Sequence, residues 1–147
     1  MRALIQRVSR ASVTADGQVA GRIGRGILLF LGINEADNEN EIAYIADKVM
    51  TLRIFEDNNR KMNLSLLDIG GELLVISQFT LYGNCEKGRR PSFTDAARPE
   101  RAEKLYEDFI GYIEKKYCIN VERGIFAAMM DVELINSGPV TFMIESR

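Results

Sequence analysis

Apolar and polar positions alternate from the start of the chain. Over residues 2–9, Ala3, Ile5 and Arg7 fall on one face of an extended segment and Leu4, Gln6 and Val8 on the other. Residues 11–15 run into Asp16-Gly17, a strong hairpin signal, and residues 18–23 return. Residues 27–33 are apolar on both faces, the pattern of a central strand. The first third of the chain is therefore strand-rich.

The period then changes. Asn38 is placed to cap a helix, and Glu41 completes a capping-box pattern. Ile42, Ile45, Ala46, Val49 and Met50 recur at helical spacing. Arg53-Ile54-Phe55 predicts a short strand before a polar loop at 56–61, and Gly70-Gly71 a turn before residues 72–82, the clearest strand. Residues 84–97 are polar, glycine-bearing and basic, which predicts a loop. Pro99 suits the first position of a second helix, with Glu100 in its first turn. Ala102, Leu105, Tyr106, Phe109, Ile110 and Ile113 give that helix its apolar face. Residues 120–125 and 129–145 read as strands, the latter interrupted by a tight turn at Asn136-Ser137-Gly138-Pro139. Strand–helix–strand thus occurs twice. The expectation is one α/β domain over residues 1–147, a mixed, largely antiparallel sheet carrying two main helices.

Composition narrows the chemistry. Of 147 residues 46% are apolar and 27% charged, the balance of a globular protein, and 19 basic against 21 acidic residues leave a net charge of −2. That excludes a polybasic nucleic-acid coat but leaves room for a local basic patch. There is no histidine, which removes Ser-His-Asp and Cys-His catalysis and nearly every His-containing zinc site. Cys85 and Cys118 are too few for a disulfide framework and are expected as one buried and one surface thiol in a reducing compartment. No signal-peptide pattern opens the chain, and its longest apolar run, residues 27–31, falls far below the roughly 20 residues a membrane span needs. The expectation is a cytoplasmic protein with no membrane partner. No metal-ligand cluster is visible, and Gly21, Gly24 and Gly26 lack the spacing of a phosphate loop. No metal or cofactor is expected.

Two clusters can carry chemistry. In Ser77-Gln78-Phe79-Thr80, strand alternation puts Gln78 and Thr80 on one face and Ser77 and Phe79 on the other. Polar groups at the end of a buried strand need hydrogen-bond partners. Either the strand emerges into solvent there, or hydroxyl, amide and backbone N–H groups are aimed at a ligand. In Asn136-Ser137-Gly138-Pro139-Val140-Thr141, the Gly-Pro pair reads as a tight turn. Were its peptide bond cis, the flanking carbonyls could form a rigid main-chain wall.

Together, these two clusters resemble the paired signature motifs of the D-aminoacyl-tRNA deacylases. The opening Met1-Arg2-Ala3-Leu4-Ile5-Gln6-Arg7-Val8 and the loop Gly88-Arg89-Arg90-Pro91-Ser92-Phe93 are similar to that family too, and the resemblance runs end to end. It implies a barrel-like sheet and a homodimer that hydrolyses the ester between a D-amino acid and the 3′ end of tRNA. By that resemblance, the pocket is built around Ser77, Gln78, Phe79 and Thr80. The Gly138-Pro139 pair of one subunit, cis in the family, enters the other subunit's pocket and rejects L-aminoacyl-tRNA. Arg7 matches the arginine that locks the Gly-Pro segment.

The absence of histidine fits such chemistry, because an aminoacyl ester is already activated and the neighbouring ribose hydroxyl can assist attack by water. Backbone N–H groups then stabilise the oxyanion; a Thr80 acyl-enzyme is the other route. Exclusion of L side chains by the Gly138-Pro139 carbonyls leaves glycine unrejected, so some glycyl-tRNA turnover is expected. Lys87, Arg89 and Arg90, with Arg22 and Arg25, are the candidate tRNA phosphate contacts; no DNA partner is expected. Two competitors are a Ser/Thr or Lys hydrolase of small esters or amides, and a non-catalytic dimeric RNA- or nucleotide-binding module.

Overall fold

The computed structural model describes residues 1–146. Strand β1 (Arg2–Ala15) turns at Asp16 and Gly17, with φ of 50° and 76°, into β2 (Gln18–Ile23). Those paired left-handed conformations match the twist of a two-residue hairpin. Next come β3 (Gly26–Gly32), α1 (Glu39–Thr51), β4 (Phe55–Glu56), β5 (Met62–Leu64) and β6 (Glu72–Ser77). A 3-10 turn (Phe79–Tyr82), α2 (Pro99–Tyr117), β7 (Val121–Arg123) and β8 (Met130–Glu145) follow. The capping box of α1 forms: the Asn38 side chain accepts from Asn40 N–H at 3.0 Å, and the Asn38 N–H donates to Glu41 at 2.9 Å.

β1 organises the sheet. Antiparallel β8 pairs along its length on one side; on the other, β3 pairs with its first half and β2 with its second. β6 adds to β3 and β7 to β6, both parallel, with α1 and α2 in the connections. The sheet curls until β2 meets β7. A Cβ built on Gly21 would lie 2.8 Å from the Arg123 carbonyl, so only glycine permits this approach. The result is the expected mixed, barrel-like sheet with two helices.

Each face of the sheet covers its own core. Ile27, Leu29 and Leu31 of β3 and Leu73 and Val75 of β6 pack with both helices, while Leu28, Leu74 and Ile76 point into a second cluster inside the curl. β1 changes allegiance part-way. Ala3 and Ile5 belong to the helix-side core, Val8, Ala11 and Val13 to the other, and Arg7 and Val8 are buried side by side in sequence. Register shifts on both sides of Val8 make the change possible.

Four expectations need correction. The strand expected over 72–82 stops at Ser77: the Gln78 N–H still bonds the Leu31 carbonyl at 2.8 Å, but the Gln78 carbonyl accepts from Leu81 at 3.3 Å and closes a turn. Gln78 and Thr80 therefore do not share a strand face. Residues 120–125 contribute only the three residues of β7, and β5 was not anticipated, because its polar sequence hides a short pairing with β4. The interruption at 136–139 is a bulge inside one long strand rather than a turn between two. Both cysteines are exposed, Cys118 because it occupies the left-handed cap of α2, beyond the helix's apolar face.

Candidate active site

At the end of β6 the chain encloses a cavity of about 740 Å³. Leu31, Ile33 and Ile76 approach it from the sheet side, Ala97 and Ala102 from just before and within the start of α2, Phe126 from the chain leading into β8, and Met130 and Val132 from the first residues of β8. Ser77 and Gln78 on the β6 side and Arg98 before α2 are its polar groups. Phe79 stands at the rim, 55% exposed and edge-on to Phe93 with ring centroids 5.0 Å apart. Met129, 89% exposed, forms the opposite lip. Thr80 lies outside the lining and reaches it through Gln78, whose side-chain amide donates to the Thr80 hydroxyl. No carboxylate or lysine is hydrogen-bonded to Thr80 among the described residues.

The turn bearing these groups is anchored from behind. The Arg2 guanidinium donates to the Leu81 carbonyl at 2.8 Å and lies 4.6 Å from the Tyr82 ring centre. Burial, with the Asp37 carboxylate nearby, pushes the Tyr82 phenol up to about 12, so it stays a neutral packing group at physiological pH. The N–H groups of Phe79 and Thr80 begin the turn and have no backbone acceptor among the described residues.

The second cluster is built differently. Gln6 pairs with Thr141 and Val8 with Asn136, so residues 137–140 of β8 loop out opposite Arg7 alone. The Gly138-Pro139 peptide bond is cis, and Gly138 has φ 123°, a conformation suited to glycine. Arg7, only 8% exposed, donates to the Ser137 carbonyl at 3.0 Å and to the Ile54 carbonyl at 2.7 Å, with Glu56 at 3.9 Å. A Cβ on Gly138 would lie 2.8 Å from the Arg7 guanidinium. Gly138 and Pro139 are both exposed. Asn136 braces the base of the bulge, donating to the Thr141 hydroxyl at 2.8 Å and accepting from Val140 N–H at 3.2 Å.

Within one chain the two clusters stay apart. Ser77 is level with Leu31 and Ala3, whereas the bulge is level with Arg7. That is four residues, about 13 Å, along the strands, and three strand positions across the sheet. The basic loop forms a third piece. Asn84 and Ser92 exchange backbone hydrogen bonds of 2.8 and 2.9 Å, pinching off an excursion whose Lys87, Arg89 and Arg90 are exposed. None of these three is ion-paired among the described residues. Arg25 lines a separate cleft beside Gly138, which Arg22 does not reach.

The family model for D-Tyr-tRNA(Tyr) deacylase matches residues 4–145. The chain belongs to the D-Tyr-tRNA(Tyr) deacylase family. It is similar to the D-aminoacyl-tRNA deacylase of Petrotoga mobilis, 54% identical over 147 residues with 100% of this chain and 98% of that protein covered. The D-aminoacyl-tRNA deacylase of Thermodesulfovibrio yellowstonii is 56% identical with both chains covered in full. Among solved structures, one described as c-Myc DNA unwinding element binding protein superposes with TM-score 0.93 at 40% identity, covering 100% of this chain and 99% of that one. A probable eukaryotic D-amino acid tRNA deacylase shares the fold at TM-score 0.85 and 16% identity, over 97% of each chain.

Set in this deacylase family, the chain offers neither a metal-ligand group of three or more His, Cys, Asp or Glu among the described residues, nor a helix long and apolar enough to cross a membrane. Sequence reasoning missed the cavity wall at Phe126 and Met130 and the lip at Met129, which flank a left-handed Ala127 with φ 59°. Their small-then-large pattern, Ala127-Ala128-Met129-Met130, was the one available signal.

Proposed function

We propose that this chain hydrolyses the ester joining a D-amino acid to the 3′ end of tRNA, with each active site assembled from two copies of the chain. One copy supplies the cavity with Ser77, Gln78, Phe79 and Thr80; the other supplies the Gly138-Pro139 bulge. The observation carrying this reading is the separation of the two clusters within one chain, a cavity without the bulge and an exposed bulge without a cavity of its own size. β8 supports it as a long edge strand with Ile135, Phe142 and Met143 each more than 40% exposed, apolar surface suited to a second copy.

Chemically, the site needs to position an already reactive ester and stabilise an oxyanion. The Phe79 and Thr80 N–H groups are the candidate donors. The ribose hydroxyl beside the ester assists water, because nothing beside Thr80 would remove its proton to make it a nucleophile. The Gly138 and Pro139 carbonyls hold the α-amino group and fill the space an L side chain requires. Being backbone, they are indifferent to which D side chain is present. Arg7 is a positioning residue, holding the bulge through Ser137. Lys87, Arg89 and Arg90 contact phosphates near the tRNA end, so the salt dependence of binding is shallow, in line with few released counterions.

Release of amino acid from D-tyrosyl-tRNA and L-tyrosyl-tRNA, side by side with chelator present, tests the reading. Fast release from the D form alone is expected. Equal release from both keeps an esterase and discards the Gly-Pro filter, and no release from either leaves a binding module. Glycyl-tRNA should turn over measurably and L-alanyl-tRNA should not; equal, negligible rates would reject steric exclusion. Duplex DNA is the control competitor, given the structural relative described as a DNA unwinding element binding protein.

A further inference from the structure

A second cleft, of about 340 Å³, opens beside the bulge. Arg7, Ser9, Arg25, Phe55, Glu56 and Gly138 line it, giving two cations against one carboxylate. The two arginines are in opposite situations. Arg7 is buried, and its donors are committed to the Ile54 and Ser137 carbonyls and to Glu56. Arg25 is exposed and joins no ion pair among the described residues.

Yet Arg25 is firmly placed. Its carbonyl accepts the Glu72 N–H at 3.1 Å, and the Glu72 carboxylate accepts from the neighbouring Gly24 N–H. On its other side, Gly26 runs so close to β6 that an added Cβ would sit 1.9 Å from the Glu72 carbonyl. The guanidinium lies 5.7 Å from the centre of the Phe55 ring, an orienting contact that leaves its hydrogen-bond donors free. A pinned backbone, an aromatic rest and unspent donors facing a cleft are the parts of an anion site. Guanidinium geometry suits a phosphate oxygen pair.

We propose that Arg25 binds an RNA phosphodiester close to the scissile ester, and that it acts from the subunit supplying the Gly-Pro bulge. This rests on the two-copy deacylase reading above. The cleft shares Gly138 with the bulge, so a substrate end held against Gly138-Pro139 brings its nearest phosphate to this side. Arg25 is thus a binding residue for the nucleic acid and takes no part in bond breaking.

The test compares D-tyrosyl-tRNA with D-tyrosyl-adenosine, which carries the ester but no phosphodiester. In Arg25→Ala, KM for the tRNA should rise roughly tenfold with little change in kcat. The loss should exceed that on D-tyrosyl-adenosine by at least about fivefold, the latter substrate lacking the group Arg25 binds. The slope of log affinity against log salt should fall by about 1. Arg25→Lys, which keeps the charge but loses the fork, should recover only part of the tRNA affinity. Equal effects on both substrates, or none on either, would overturn the proposal, as would dissociation of Arg25→Ala dimers in sedimentation, which would make Arg25 a subunit contact. Wild-type protein that hydrolyses neither substrate would bring down the deacylase reading itself, and this inference with it.

Discussion

Beside Ser77 the chain lines some 740 Å³ mostly with apolar side chains, Ser77, Gln78 and Arg98 being the polar exceptions. At Gly138 it bulges residues 137–140 out of register and shows Gly138 and Pro139 to solvent. The first region is a container whose shape depends on many side chains, each replaceable at modest cost. The second is a main-chain device that depends on one glycine conformation and one buried guanidinium. Substitutions should therefore act gradually around the cavity and abruptly at the bulge.

Gly138→Ala should be the harshest. Its Cβ meets the Arg7 guanidinium and Val140 at 2.8 Å, in a conformation L residues rarely adopt. Deacylation of D-tyrosyl-tRNA should fall at least about a hundredfold, since small displacements of a positioning group have that effect. Mixed with a Gln78→Ala, Thr80→Ala double variant under subunit exchange, it should recover roughly a quarter of wild-type activity. Half the dimers are then mixed, and one of their two sites has both intact parts. Mixtures that stay as inactive as their components would reject the two-copy site.

Arg7→Ala comes next, removing both carbonyl contacts of a buried cation. A stability loss of about 2–4 kcal/mol in urea titration is expected, together with weakened discrimination between D and L substrates. Arg7→Lys should fall between, because one ammonium cannot span the Ser137 and Ile54 carbonyls as the fork does. A gentler effect is expected at the cavity edge: Thr80→Ala should retain activity within about a factor of ten, as a supporting hydroxyl would. Complete loss in single-turnover assays would instead make Thr80 the nucleophile.

The smallest effect lies away from both regions, where Asp47 on α1 meets Lys116, Tyr112 and Tyr117 of α2. Partial burial raises the Asp47 carboxyl, but hydrogen bonds from Lys116, Tyr117 and Tyr112 outweigh it and hold the group below its usual range. Its folded pKa is thus below the unfolded one, so the stabilisation is present above about pH 4 and fades as pH falls through the folded value. The side chain is 41% exposed, so solvent screening keeps the contribution under about 1 kcal/mol. Thermal unfolding of Asp47→Asn and wild type should differ slightly at pH 6 and converge near pH 3.

Local signals in the chain told most about elements whose partners are near in sequence. The α1 capping box, the Asp16-Gly17 hairpin and the buried face of α2 all follow from spacing of a few residues. The end of β6 was illegible because apolar content continues through Phe79 and Leu81; what stops the strand is the turn in which the Gln78 carbonyl accepts from the Leu81 N–H. The bulge was legible as a break at Gly138-Pro139, but its lock is not local, since Arg7 lies 130 residues away from Ser137 in the chain. The cavity was invisible for the same reason: residues from β3, β6, α2 and the approach to β8 converge only after folding. Resemblance to a family favoured the ligand-facing reading of Ser77-Gln78-Phe79-Thr80 where pattern alone left two open.

One feature of β1 bears on how the chain tolerates insertions and deletions. Arg7 and Val8 face opposite sides as strand neighbours do, and the register slip beside them is what lets Ala11 and Val13 join Val8 in the second core rather than Ala3 and Ile5 in the first. Losing a single residue between Val8 and Ala11 would exchange the inside and outside of everything up to Ala15. Lengthening the exposed turn at 57–61 would disturb only its own hydrogen bonds. Across descendants of this chain, changes of length are thus open to the surface turns and closed to the stretch just after Arg7.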